Sequence, residues 1–105
     1  TEVVLDSEHP DEVLRSAWRS TYGTLGEGER LVNLLGEGSW PVTGTVVGSG
    51  LAAVQVAYDR DAGVATMVCA IDNLGKGTAS AAVQSLNLSL GLPETTGVAV
   101  EGVAP

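Results

Sequence analysis

Residues 51–79 read LAAVQVAYDRDAGVATMVCAIDNLGKGTA, and this stretch decides the fold. Two apolar runs, Leu51–Tyr58 and Val64–Ile71, flank the link Asp59-Arg60-Asp61-Ala62-Gly63. Runs of this length suit strands, and a short link bearing Asp and Gly suits a tight reverse turn, so 51–72 is predicted to be an antiparallel hairpin. The second run does not simply stop. It passes through an acid-amide pair, Asp72-Asn73, then through Gly75-Lys76-Gly77, and continues as an alanine-rich segment.

Downstream, Ala79, Ala82, Val83, Leu86 and Leu90 recur at helical spacing, and Gly91 followed by Pro93 ends the pattern. A last amphipathic helix over about 76–90 is predicted. The glycine-rich tail beyond it contains one candidate short strand at Val98–Val100. Upstream, Thr45-Val46-Val47 adds a β-branched signal, and Arg30–Leu35 is apolar enough for a strand. Gly23 to Gly28 is a glycine-broken loop. Pro10-Asp11-Glu12 carries the marks of a helix start, and Val13, Leu14, Ala17, Trp18 and Tyr22 form a stripe with Arg15 and Arg19 on the other side. That predicts a helix over 10–22. Glu2–Leu5 reads as a further strand. The expected fold class is α+β, a mixed and mainly antiparallel sheet with helices on one face.

At 105 residues, 44% of them hydrophobic, the chain is long enough for one core and too short for two, so 1–105 is expected to be a single domain. Aromatic residues are few, which makes the expected core aliphatic. A formal charge of −8, with the basic residues Arg15, Arg19, Arg30, Arg60 and Lys76 scattered singly, offers no track for a phosphate backbone, and no nucleic-acid partner is expected. The single cysteine, Cys69, excludes an intrachain disulfide and a cysteine-based zinc site. No apolar run approaches the roughly 20 residues needed to span a bilayer, so no membrane partner is expected and a cytoplasmic location is. The chain opens at Thr1, without Met, directly in the strand-like TEVVLD, which suggests a piece of something longer.

Few residues offer chemistry. His9 sits before Pro10 at a helix entrance, where a surface or capping role is expected, and no complete hydrolytic triad can be assembled around it. Cys69 lies in the middle of an apolar strand, where burial makes a thiol inert. No catalytic residue and no metal site is assigned. The strand-to-helix junction is more informative: Gly75 and Gly77 permit close backbone approach, the helix start offers N–H groups at Gly77 and Thr78, and Lys76 supplies the chain's only lysine charge. An anionic or carboxamide-bearing ligand suits that combination. So does an ordinary connection, in which Asn73 bonds its own turn.

Residues Ala70–Thr96, AIDNLGKGTASAAVQSLNLSLGLPETT, resemble the carboxy-terminal segment of the N-acetyl-γ-glutamyl-phosphate reductases, relatives of aspartate-semialdehyde dehydrogenase. The resemblance continues upstream through PVTGTVVGS at 41–49 and the hairpin turn YDRDAG at 58–63. It implies an NADPH-dependent reduction of an acyl phosphate through a cysteine thioester, in arginine biosynthesis, by an enzyme with a dinucleotide-binding domain and a dimer-forming α+β domain. The chain would then be the carboxy-terminal part of that second domain, a homo-oligomer lacking its coenzyme-binding domain and inactive alone. Neither Cys69 nor His9 matches the family's nucleophile or acid/base motif. What carries over is D-N-L-x-K-G, here Asp72, Asn73, Leu74, Lys76 and Gly77. The resemblance implies that Asn73 faces the nicotinamide carboxamide, with Lys76 and Gly77 beside the coenzyme. Gly75 stands where the family usually has a larger aliphatic residue, and Gly50 where it usually has asparagine, differences expected to loosen the site. The alternative is a non-catalytic dimerisation or binding module that shares the fold.

Overall fold

A computed structural model of the chain describes residues 8–22 and 31–103. The strand expected at Glu2–Leu5 and the loop expected at Gly23–Gly28 lie outside the described residues. The hairpin is present: β2 (Ala52–Asp59) and β3 (Val64–Ile71) pair antiparallel from Ala52↔Ile71 to Asp59↔Val64. Its turn is closed by the Asp59 carboxylate, whose Oδ1 accepts from the N–H groups of Asp61 (2.9 Å) and Ala62 (3.1 Å). Gly63 then takes φ +66°, a left-handed conformation open to glycine at little cost.

A short strand, β1 (Val32–Leu34), joins the other edge of β2 in parallel, giving a mixed sheet in the order β1-β2-β3. Parallel neighbours need a crossover. Here it is the segment 35–51, and its Thr45-Val46-Val47 does not form the expected strand. Thr43–Thr45 is instead one 3₁₀ turn, with Thr45 Oγ1 donating to Val42 O at 2.7 Å. Of the three, Val46 serves packing rather than extension: it is buried with Leu31, Leu51, Ala53, Ala70 and Val98 in one aliphatic core, while Thr45 and Val47 are exposed. Ala53 and Ala70 are cross-strand partners, and their small side chains leave room on that face for Val46 and Val98. Each Val or Leu enclosed this way contributes about 1.5–3 kcal/mol. Val98 therefore anchors the tail through burial; the strand expected at Val98–Val100 is not formed.

The first helix, α1 (Pro10–Tyr22), begins as its sequence requires, with Asp11 and Glu12 in the first turn and the His9 carbonyl accepting from Val13 N–H at 3.2 Å. It packs against β1 and β2. Leu14, Trp18 and Tyr22 of the expected stripe are half-buried, but the most enclosed side chain beside them is a charged one. Arg15 is 9% exposed, whereas Val13 of the predicted apolar stripe is exposed. The cause is the shortness of β1, whose pairing with β2 ends at Leu34↔Val54. Beyond that point Arg15 donates to Gln55 Oε1 (2.6 Å) and to Leu35 O (2.8 Å), and Gln55 Nε2 donates to Gly36 O (2.8 Å) and Ser39 O (2.5 Å). Polar side chains thus finish hydrogen bonding that a longer strand would have supplied.

The last helix, α2 (Ser80–Ser89), follows a π-helical turn at Gly75–Ala79. It ends where Gly91 adopts φ +68° and Leu92 N–H closes back on Asn87 O at 2.9 Å. Val83, Leu86 and Leu90 are exposed, so the expected apolar stripe is bare, and the buried residue of α2 is Asn87, 4% exposed. Its Nδ2 donates to Glu94 O (3.0 Å) and Thr96 O (2.8 Å), which straps the tail along the helix and leads it to Val98. No helix is long and apolar enough to cross a membrane among the described residues.

Candidate functional site

The junction after β3 is organised by Asp72. Its Oδ2 accepts from Gly75 N–H at 2.8 Å, within its own turn, and from Gly48 N–H at 3.2 Å, on the crossover. The Asp72 carbonyl accepts from Gly77 N–H at 2.9 Å, and Leu74 O from Ala79 N–H at 3.0 Å. These bonds span five residues, one more than in an α-helix, and such wide turns recur at functional sites. Thr78 Oγ1 donates to Asn73 O at 2.7 Å and ties the turn further.

Asn73 is exposed at the end of the strand, and its side-chain amide makes no hydrogen bond with the described residues. The local alternative read from the sequence, an asparagine bonding its own turn, is therefore not what this geometry contains: Asp72 does that work. A Cβ on Gly77 would lie 3.5 Å from Asn73 Oδ1 and 3.3 Å from Asp72 O, so the glycine lets the amide lie close over the turn.

The other two residues singled out at this junction are already engaged. Gly77 N–H is taken by Asp72 O. Lys76 Nζ donates to Gln84 Oε1 at 2.7 Å, and Gln84 Nε2 donates to Glu94 Oε1, so the lysine is drawn along α2 toward the tail. Asn73, Lys76 and Gly77 share one turn, yet among the described residues it is the Asn73 side chain that keeps both a donor and an acceptor unused. Sequence reading gave no role to Asp72, Gln84 or Glu94; Asp72 stood in the quoted motif, while nothing in the spacing of Gln84 and Glu94 marks them.

The two unusual glycines tighten this site rather than loosen it. A Cβ on Gly75 would sit 2.3 Å from Ser49 O and 2.7 Å from Asp72 Oδ2. A Cβ on Gly50 would sit 2.3 Å from a Val98 methyl, and Gly50 N–H donates to Ala99 O at 2.8 Å. Crossover, turn and tail thus meet with backbone against backbone. Ser49 is fully buried at the contact, its Oγ donating to Val46 O at 2.7 Å and accepting from Leu51 N–H at 3.2 Å.

Cys69 is exposed on β3, against the expectation of a buried thiol. On β3, the outer strand of the three, side chains of both faces are open, Met67 at 58% and Val68 at 36% among them. A separate cleft of about 390 Å³ lies between α1 and the end of β2, lined by Asp11, Arg15, Trp40, Tyr58 and Arg60 among others. Its two arginines are matched locally, Arg60 with Asp11 at 3.6 Å and Arg15 with Glu37 at 3.7 Å. Among the described residues no group of three or more His, Cys, Asp or Glu side chains could hold a metal ion.

A family model described as "Semialdehyde dehydrogenase, dimerisation domain" matches residues 1–73. Curated relatives named N-acetyl-gamma-glutamyl-phosphate reductase are similar over most of the chain. The protein from Thermobifida fusca is 54% identical over 95 residues, which cover 90% of this chain and 26% of the relative. That from Mycobacterium avium is 52% identical over 96 residues, 91% of this chain and 26% of the relative. That from Pseudarthrobacter chlorophenolicus is 52% identical over 94 residues, again 90% and 26%. The chain spans about a quarter of the length of these relatives.

Proposed function

Since the chain belongs to the semialdehyde dehydrogenase dimerisation-domain family, we propose that it is the dimer-forming, coenzyme-facing part of an NADPH-dependent N-acetyl-γ-glutamyl-phosphate reductase, a cytoplasmic enzyme of arginine biosynthesis. The observation that carries this reading is the amide of Asn73, exposed just past the end of β3 and making no hydrogen bond among the described residues. A nicotinamide carboxamide needs one donor and one acceptor in a single plane, and an asparagine amide offers both. Bound there, the coenzyme supplies the hydride. The chain's own part is to orient that ring through Asn73. Gly77 allows the amide to lie over the turn, while Lys76 is engaged by Gln84 and takes no part in orienting the ring.

Acyl-phosphate reduction through a thioester also needs a thiolate and a proton donor. Neither Cys69 nor His9 takes these roles in this reading: Cys69 is on the outer strand β3 and His9 precedes α1, while Asn73 lies beyond the end of β3. The chain alone is expected to show no turnover. The open apolar side chains of β3 support self-association through the sheet, since a soluble protein rarely leaves such a strip bare.

A chimera tests the proposal, with this chain replacing the matching quarter of the Thermobifida fusca relative. NADPH-dependent reduction of the acyl phosphate is expected. Asn73→Ala in the chimera should raise KM for NADPH or lower kcat while leaving the thermal melt in place. Unchanged kinetic constants for that variant overturn the coenzyme reading. A chimera that folds and dimerises without reducing anything favours a non-catalytic module of the same fold.

A further inference from the structure

We infer that Asp72 is the positioning residue of this junction, and that it keeps Asn73 available by occupying the N–H group that Asn73 would otherwise capture. The inference rests on the coenzyme reading of Asn73. Asparagine commonly bonds the backbone N–H two residues ahead of it, which for Asn73 is that of Gly75. Here Asp72 Oδ2 already takes Gly75 N–H at 2.8 Å, and the Asn73 amide is left without a partner among the described residues.

The same oxygen takes Gly48 N–H at 3.2 Å, from a residue 24 positions earlier, so one carboxylate both closes the turn and pins the crossover to it. That second bond depends on close approach. Ser49 O would be 2.3 Å from a Cβ at position 75, a distance only glycine tolerates, and Gly48 is brought within reach by it. Charge-assisted bonds of this kind are about twice as strong as neutral ones, which is why an aspartate outcompetes the neighbouring amide for the same donor. Asp72 touches no ligand in this account. It acts through Asn73.

Two measurements test it. The first needs no coenzyme: in the chain itself, Gly48 N–H should be protected from deuterium exchange, and Asp72→Ala should remove that protection while shifting the side-chain amide resonances of Asn73 as they turn onto Gly75. Asp72→Asn, whose Oδ1 can accept the same two bonds, should restore both signals. The second is NADPH affinity in the chimera, where Asp72→Ala should weaken binding about tenfold and Asp72→Asn should recover most of it. If the alanine variant does not fold, Asp72→Ser, too short to reach Gly48 but able to accept Gly75 N–H, takes its place: it should remove the Gly48 protection and leave the Asn73 resonances where they are. Gly48 exchange and Asn73 resonances that ignore Asp72→Ala overturn the inference. So does a chimera in which Asn73→Ala weakens NADPH binding and Asp72→Ala does not, an outcome that leaves the coenzyme reading standing. A chimera indifferent to Asn73→Ala removes the coenzyme reading, and the positioning role with it.

Discussion

Arg15 Nη1 lies 2.6 Å from Gln55 Oε1, so the first helix is joined to the central strand by two polar side chains, both nearly sealed from solvent. Gln55 also serves Gly36 O, Ser39 O and, through Oε1, Val56 N–H at 2.9 Å. Replacing it with an apolar residue removes the side-chain partner of each of these groups and leaves the Arg15 guanidinium with only Leu35 O and Glu37 among the described residues. Gln55→Leu is therefore expected to cost about 3 kcal/mol in a denaturant melt, and adding Arg15→Met should cost less than the sum of the two single changes. Strict additivity would contradict the coupling.

Val13, Leu14, Ala17 and Trp18 make a regular apolar stripe, and periodicity correctly located α1 at 10–22. It put Leu14, Trp18 and Tyr22 on the side that is half-buried, but it missed Arg15 there, because what Arg15 meets is set by where β1 stops, and a strand's length is fixed by its partner rather than by its own residues. The hairpin was legible for the opposite reason: Asp59 and Gly63 close its turn locally, and both runs kept their expected bounds within a residue. At the junction the motif was legible as a site. The division of labour within it was not, since a choice between Asp72 and Asn73 for one N–H depends on the 24-residue contact to Gly48.

Leu86 and Asn87 are neighbours on α2 with opposite surroundings, 56% and 4% exposed. Hydropathy ranks Leu86 as the core residue. The geometry reverses the ranking, so Leu86→Ala in this chain should change stability by less than about 0.5 kcal/mol, far below the roughly 2–5 kcal/mol of a buried leucine. Asn87→Ala removes two bonds to the tail and should cost about 2 kcal/mol, with faster amide exchange around Glu94–Val98. A melt in which Leu86→Ala is the costlier change would refute this assignment of the helix faces.

Cys69 follows Met67 by two residues and shares its face of β3, and both are exposed. A thiol reagent should label Cys69 in the native chain at low concentration without denaturant. If self-association covers this face, labelling should slow as the chain concentration rises, by mass action. A labelling rate that is independent of concentration, in a chain that light scattering reports as dimeric, would move the dimer contact away from β3.

Gly75 faces Ser49 O across a gap that has no room for a side chain: an added Cβ would be 2.3 Å from that oxygen and 2.7 Å from Asp72 Oδ2. Both neighbours are held, Ser49 by its buried hydroxyl bonds and Asp72 by its two N–H partners, so neither can give way cheaply. Gly75→Ala is expected to cost about 1–3 kcal/mol, the usual range for overpacking, and to release the bond between Gly48 N–H and Asp72. Gly36, where nothing lies within 4 Å of an added Cβ, is the control, and Gly36→Ala should leave stability nearly unchanged. The comparison separates a local steric demand from a general preference for glycine in loops. Equal melting temperatures for the two variants would mean that the crossover can back away from the turn, and the tight contact on which the Asp72 clamp depends would then have to be abandoned.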